Sequence, residues 1–401
     1  MRYHRVLDGL IVLTLLTSMA AAGERKYDPG ATDSEIKIGQ TMPYSGPNST
    51  FGVYGRVQAA YFQKINDDGG INGRKINFIS LDDAYSPPKT VEQTRRLVES
   101  EQVLLDFSPL GTAPNTAIQK YLNTKKVPQL FVIGGASKWG DPARFHWTMS
   151  WQPSYYDEAR VFAQQALARV PNPKIAILSQ NDDYGRDYVK GIKDELGPRA
   201  AELIVKELTY EVTDPSIDSQ IISLQQSGAN VFMNIAIPKF AAQAIRKASD
   251  IDWHPLQFVN SLSSSVGTVL KPAGLEKARG IVTTAFYKDP TDPTWQNDAE
   301  YLAWVSFMKK YFPDGKLDDS NNVFGYMLAQ TMVQVLKQCG DELTRENVMR
   351  QAANLKDFTP AMILPGIRIN TSPDNYYPIR QFQPRRFDGE RWVDDGAVIS
   401  R

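Results

Sequence analysis

The residues best placed to do chemistry are Gly135-Ala136-Ser137-Lys138-Trp139, which follow an apolar run ending at Ile133. They set a hydroxyl where a strand-to-helix turn would present a nucleophile. A nucleophile elbow needs glycine at its last position because the strained turn leaves no room for a side chain, and Trp139 fills that place. Ser137 therefore reads as a hydrogen-bond donor. The pairs Asp82-Asp83, Asp182-Asp183 and Asp318-Asp319 could in principle divide acid and base roles, but adjacent loop carboxylates more often cap helices or face water. Beyond the first 22 residues only His146 and His254 remain, each beside a tryptophan and far apart in the chain. His146 is expected to be a packed or hydrogen-bonded strand residue, and His254 a loop residue. With no H-E-x-x-H and no Cys or His cluster, no metal site is expected. Neither G-x-G-x-x-G nor G-x-x-x-x-G-K-[ST] occurs, which removes the commonest nucleotide-binding signatures. The expectation is a protein without cofactor and without catalysis.

What remains is binding, and the elements that would position a site follow from the pattern of the chain. Short runs rich in Ile, Val and Phe alternate with longer segments of helical period, the signature of repeated βαβ units and a parallel sheet. One series runs from Ile36 to Ile133; a second begins near Tyr156 and ends near Val259. The segment Arg144 to Pro153 is expected to cross between them. After Phe286 the pattern turns helical, and covering those helices calls for a return to the first series. The expected architecture is α/β, two doubly wound parallel-sheet lobes joined by a hinge of several crossings. The lobes are placed at 34–150 plus 283–358 and at 153–280 plus 361–401. In open parallel sheets ligands sit beyond the carboxyl ends of the strands, where helix N-termini offer unpaired N–H groups. Leu110-Gly111-Thr112 and Gly135-Ala136-Ser137 stand at two such junctions, with small residues for close approach and hydroxyls as donors. Together they could cradle a carboxylate.

Charge and compartment narrow the partners. Arg2 and Arg5, an apolar run from Gly9 to Met19 and Ala20-Ala21-Ala22 form the pattern of a cleaved signal peptide over residues 1–22. The run is too short for a membrane span, which needs about 20 apolar residues. Export to the periplasm is expected. Cleavage after Ala22 removes Arg2, Arg5 and Asp8, so 45 basic against 45 acidic residues become 43 against 44. That balance gives no footprint for nucleic acid. Cys339 is alone, in an apolar stretch of helical spacing, and reads as a buried small hydrophobe. No coiled-coil or other assembly signal is seen, and a monomer is expected.

Ile36-Lys37-Ile38-Gly39, Ser45-Gly46-Pro47, the stretch Asp67-Asp68-Gly69-Gly70-Ile71-Asn72-Gly73-Arg74, the strand end Asp82-Asp83 and Asp183-Tyr184-Gly185 occur in this order and spacing. In them the chain resembles the periplasmic solute-binding proteins of branched-chain amino-acid-type ABC transporters, the leucine-binding-protein-like family. The resemblance covers nearly all of the chain after residue 22. It implies a type I periplasmic-binding-protein fold that delivers a small-molecule carboxylate to an ABC permease in the membrane. It further implies that Gly111, Thr112, Ala136 and Ser137 hold the carboxylate, with Phe51 from the first lobe and Tyr184 from the second beside it. Leu110, Gly135, Ile237, Leu262 and Phe286 complete the expected site.

One departure from the family is informative. Amino-acid binders of this group carry an acidic residue after the strand that here is Gln257 to Val259, and this chain reads Asn260-Ser261-Leu262-Ser263. A buried ammonium without a counter-charge costs several kcal/mol. The expected ligand is therefore an aromatic or hydrophobic acid lacking an α-ammonium. The alternatives are a branched-chain or other amino-acid binder, and a periplasmic sensor of the same fold.

Overall fold

The computed structural model describes residues 26–401; the leader read in the sequence lies outside them. Strand β1 (Lys26–Tyr27) precedes five strands: β2 (Glu35–Met42), β3 (Lys75–Asp82), β4 (Leu105–Phe107), β5 (Gln129–Val132) and β6 (Thr148–Ser150). They form one parallel sheet in the order β3-β2-β4-β5-β6. The next five are β7 (Ile175–Gln180), β8 (Ile204–Tyr210), β9 (Val231–Ile235), β10 (Leu256–Val259) and β11 (Val282–Ala285). They make a second parallel set, β8-β7-β9-β10-β11. The short β12 (Glu342–Leu343) pairs with β1. Strand β13 (Gln381–Phe387) adds antiparallel to β11, and β14 (Trp392–Asp394) and β15 (Ile399–Ser400) pair with β13.

Strand composition explains this arrangement. All six residues of β7 are buried, as are all five of β9, because helices cover both faces, and only Ser179, Gln180 and Asn234 among them are polar. The helices are seated by capping. Asp182 accepts hydrogen bonds from the N–H groups of Tyr184 (3.0 Å) and Gly185 (3.2 Å) and so starts the helix Asp183–Leu196. Asp319 does the same for Ser320–Cys339, the largely buried helix of the first lobe. The aspartate pairs thus serve structure, and Cys339 is buried as expected. His146 departs from expectation: its side chain is half exposed, 3.7 Å from Glu346, because the chain turns outward before β6.

Two corrections to the lobe boundaries follow. Residues 283–285, placed at the start of the return to the first lobe, belong to β11 of the second-lobe sheet, hydrogen-bonded between β10 and β13. Residues 361–380 were assigned to the second lobe, yet Met362, Ile363, Leu364, Ile367, Ile369, Tyr376 and Ile379 pack in the first-lobe core. Apolar residues bury wherever a complementary face is nearest, and that face is the helix layer around Phe324 and Met327. The chain therefore changes lobe near residues 151–155, 286 and 380.

Candidate functional site

Both lobes have the strand order 2-1-3-4-5 in their own sequence numbering, which leaves a crevice where the order reverses, between β2 and β4 and between β7 and β9. The two crevices face each other. A cavity of about 30 Å³ lies between them, lined by Phe51, Tyr85, Leu110, Gly111, Thr112, Ile133, Tyr155, Tyr184, Ile237 and Leu262. Phe51 lies after β2, Leu110 to Thr112 after β4, Tyr184 after β7, Ile237 after β9 and Leu262 after β10. Seven of the expected residues are thus brought together: Phe51, Leu110, Gly111, Thr112, Tyr184, Ile237 and Leu262.

The walls are built by the strand ends themselves. The β4–β5 pairing continues past the sheet as a bridge from Leu110 to Ile133, and the Gly111 N–H donates to the Ile133 carbonyl at 2.9 Å. Gly111 has φ of +99°, and a Cβ there would stand 2.3 Å from Cε2 of Tyr85, so only glycine fits. It precedes the 14-residue helix Thr112–Lys125, whose first turn has no side-chain cap. Tyr184 is wedged edge-on between Tyr155 (ring centroids 5.0 Å apart) and Tyr188 (5.4 Å).

Two of the lining residues, Thr112 and Tyr184, carry buried hydroxyls without partners, and the indole of Trp139 lies close behind Thr112. The position a Cβ would take at Gly134 is 3.4 Å from Trp139 Nε1, 3.7 Å from Thr112 Oγ1 and 3.8 Å from Tyr155 Oη. Trp139 Nε1, Thr112 Oγ1 and Tyr184 Oη are all buried with no hydrogen-bond partner. Each such orphan costs about 1–3 kcal/mol of desolvation, which a ligand acceptor would relieve. Burial pushes the Tyr184 phenol well above its usual pKa, so it stays a donor at neutral pH. A Tyr184→Phe variant should melt at or slightly above the parent temperature without ligand and bind ligand about tenfold more weakly, read by calorimetry. Equal affinity would remove the hydroxyl from the site.

None of the described residues that line the cavity is charged. The nearby carboxylate of Glu158 is taken up internally: Oε1 accepts from the Ser261 N–H (3.0 Å) and the Thr284 hydroxyl, and Oε2 from Tyr188. Burial raises its pKa, opposed by these donors. It braces the loop at Ser261 against the hinge strand β11.

Four expected residues lie elsewhere. The Ser137 N–H and hydroxyl donate to Asp187 across the cleft, at 2.6 and 2.7 Å, while neighbouring Lys138 pairs with Asp183. The protein's own carboxylate thus takes the donors assigned to a ligand. Ala136 offers its carbonyl to the Tyr377 hydroxyl (2.9 Å), and the Gly135 carbonyl accepts from the Tyr155 N–H (2.8 Å). Phe286 packs in an aromatic cluster with Trp151, Tyr287 and Phe324, behind the cavity. Conversely, Tyr85, Ile133 and Tyr155 were missed. They follow β3, β5 and β6, so the strand-end rule that selected Thr112 applies to them equally.

A model of the family described as periplasmic binding protein matches residues 35–385. The Leu/Ile/Val-binding protein homolog 1 of Brucella abortus (strain 2308) is 23% identical over 359 residues, covering 83% of this chain and 86% of its own. Among solved structures, a branched chain amino acid ABC transporter protein from Thermus thermophilus with bound valine superposes with a TM-score of 0.82 at 14% identity, covering 92% of this chain and 97% of that one. A fatty acid ABC transporter substrate-binding protein from Thermomonospora curvata gives 0.77 at 22% identity, covering 94% and 95%. These likenesses carry the two-lobed α/β fold.

Proposed function

The chain belongs to the periplasmic binding protein family, and from that premise we propose that it captures a hydrophobic or aromatic carboxylate between its lobes and passes it to an ABC permease. One observation carries the ligand class: among its apolar lining residues the cavity has Thr112 and Tyr184, whose buried hydroxyls lack partners, and no charged side chain lines it. Hydroxyls and helix N-terminal amides suit a carboxylate. An α-ammonium would find no free carboxylate, since that of Glu158 is held by three donors. Aromatic and aliphatic residues would cover the body of the ligand. The name of the Thermomonospora relative, which refers to fatty acids, fits this reading; those of the Brucella and Thermus relatives fit the amino-acid alternative.

The mechanism is closure. A space of about 30 Å³ admits one or two waters, so an organic acid enters only when the lobes part. The acid then bridges the two strand-end crevices and shifts the population toward a closed form that docks on the permease. The chain itself supplies only binding groups; no bond is made or broken.

A thermal-shift series against benzoate, octanoate, leucine and valine tests this reading. Binding to the native state alone adds about 2.7 kcal/mol at a hundredfold excess over Kd, so the acids should raise the melting temperature and the amino acids should not. The reverse pattern would establish the amino-acid alternative.

A further inference from the structure

Tyr85 is held in the cavity by a loop built to aim it. Ala84 and Tyr85 are consecutive non-glycine residues in the left-handed region, with φ of 52° and 60°. That conformation is fixed from below by the aspartate pair: the Ala84 N–H donates to Asp82 Oδ1 (3.1 Å) and the Tyr85 N–H to Asp83 Oδ1 (2.9 Å). Two strained residues so pinned are characteristic of a functional position. The loop directs the Tyr85 ring over Gly111, where Cε2 and Oη stand 2.3 and 3.1 Å from the place a Cβ would occupy. The ring lines the cavity together with Tyr184, Ile237 and Leu262 of the second lobe, and its hydroxyl lies near the Thr112 backbone at the start of the helix Thr112–Lys125 and near the side chain of Gln180 in β7. A phenol from the first lobe therefore sits on the helix N-terminus and touches the second lobe at once.

We infer that the Tyr85 hydroxyl is an internal rival of the ligand, occupying the Gly111–Thr112 cradle and bridging the lobes until an incoming carboxylate displaces it. The inference rests on the reading of this cavity as the carboxylate site. Its logic is thermodynamic. A contact made in the ligand-free closed form and broken in the complex stabilises only the former, so it weakens affinity by its own equilibrium constant. It also makes ligand-free protein close more often than lobes without it.

Tyr85→Phe keeps the ring and removes the hydroxyl. Without ligand, small-angle X-ray scattering of the full chain should give a larger radius of gyration for the variant than for the parent. Calorimetric titration with benzoate or octanoate should give binding about tenfold tighter, equivalent to about 1.4 kcal/mol. Equal radii overturn the inference, because the hydroxyl then holds nothing across the cleft. Unchanged or weaker binding by the variant overturns it too, since the hydroxyl would then be a bystander or a donor to the ligand. If the parent binds neither acid, the ligand class proposed above fails, and the scattering comparison still decides whether Tyr85 latches the lobes.

Discussion

An Asp106→Asn variant is expected to melt well above the parent protein at pH 8, and its advantage should shrink as the pH is lowered toward 4. Strand β4 sends Leu105 and Phe107 into the first-lobe core, so Asp106 between them points to the opposite face of the sheet. In that buried position neither carboxyl oxygen has a hydrogen-bond partner. Burial, with the neighbouring charge of Asp83 adding to it, pushes Asp106 up to about 8. The folded protein thus holds this proton between about pH 4 and 8, whereas the unfolded chain has released it. Folded-state proton excess means that stability falls as pH rises through that window, by at most about 1.4 kcal/mol per unit, and is constant above it. Asparagine has nearly the same shape and no charge to bury, so the difference between variant and parent grows with pH to the order of several kcal/mol. Melting curves of both proteins from pH 4 to 9 check this. A difference independent of pH would mean that Asp106 is ionised in the fold.

Gly111→Ala should abolish measurable binding of the hydrophobic acids and cost the fold about 1–3 kcal/mol. The residue has φ of +99° and ψ of 146°, a conformation reserved for glycine, and the added methyl would overlap the Tyr85 ring. The two effects are separable. In a Gly111→Ala/Tyr85→Ala double variant the overlap is gone and the backbone strain remains, so binding should return in part while the loss of stability persists. If the single variant binds as the parent does, the cradle lies elsewhere. A double-mutant cycle on affinity measures the coupling directly.

Much of the fold was legible because alternation of apolar runs and helical segments is a property of the chain alone. The strand-end residues Gly111, Thr112 and Tyr184 were legible for the same reason: strand–loop–helix order places them. What escaped depended on partners distant in sequence. The run Val282–Ala285 has the composition of a buried parallel strand in either sheet, and only its pairing with β10 and β13 assigns it. Ser137 has the chemistry of an anion donor, and nothing local shows that Asp187, on a helix of the other lobe, will meet it. Trp139 was noted for bulk, but the value of its indole N–H rests on where Gly134 leaves space. Glu158 sits inside an ordinary amphipathic helix, and its hold on Ser261 and Thr284 exists only once β10 and β11 lie beside it.

The three passages of the chain between lobes also bear on speed. Two of them leave the second-lobe sheet side by side, since Ala285 at the end of β11 lies opposite Gln383 near the start of β13. The third, which follows β6, runs next to them, with the Trp151 ring 5.9 Å from that of Phe286. Three crossings lying together at one edge resist sliding of one lobe over the other and yield chiefly to bending. The lobes' mutual search for each other is completed when the chain folds rather than at every capture, which keeps the effective concentration of one lobe for the other high. Release of cargo then needs a single bend rather than an unfolding event.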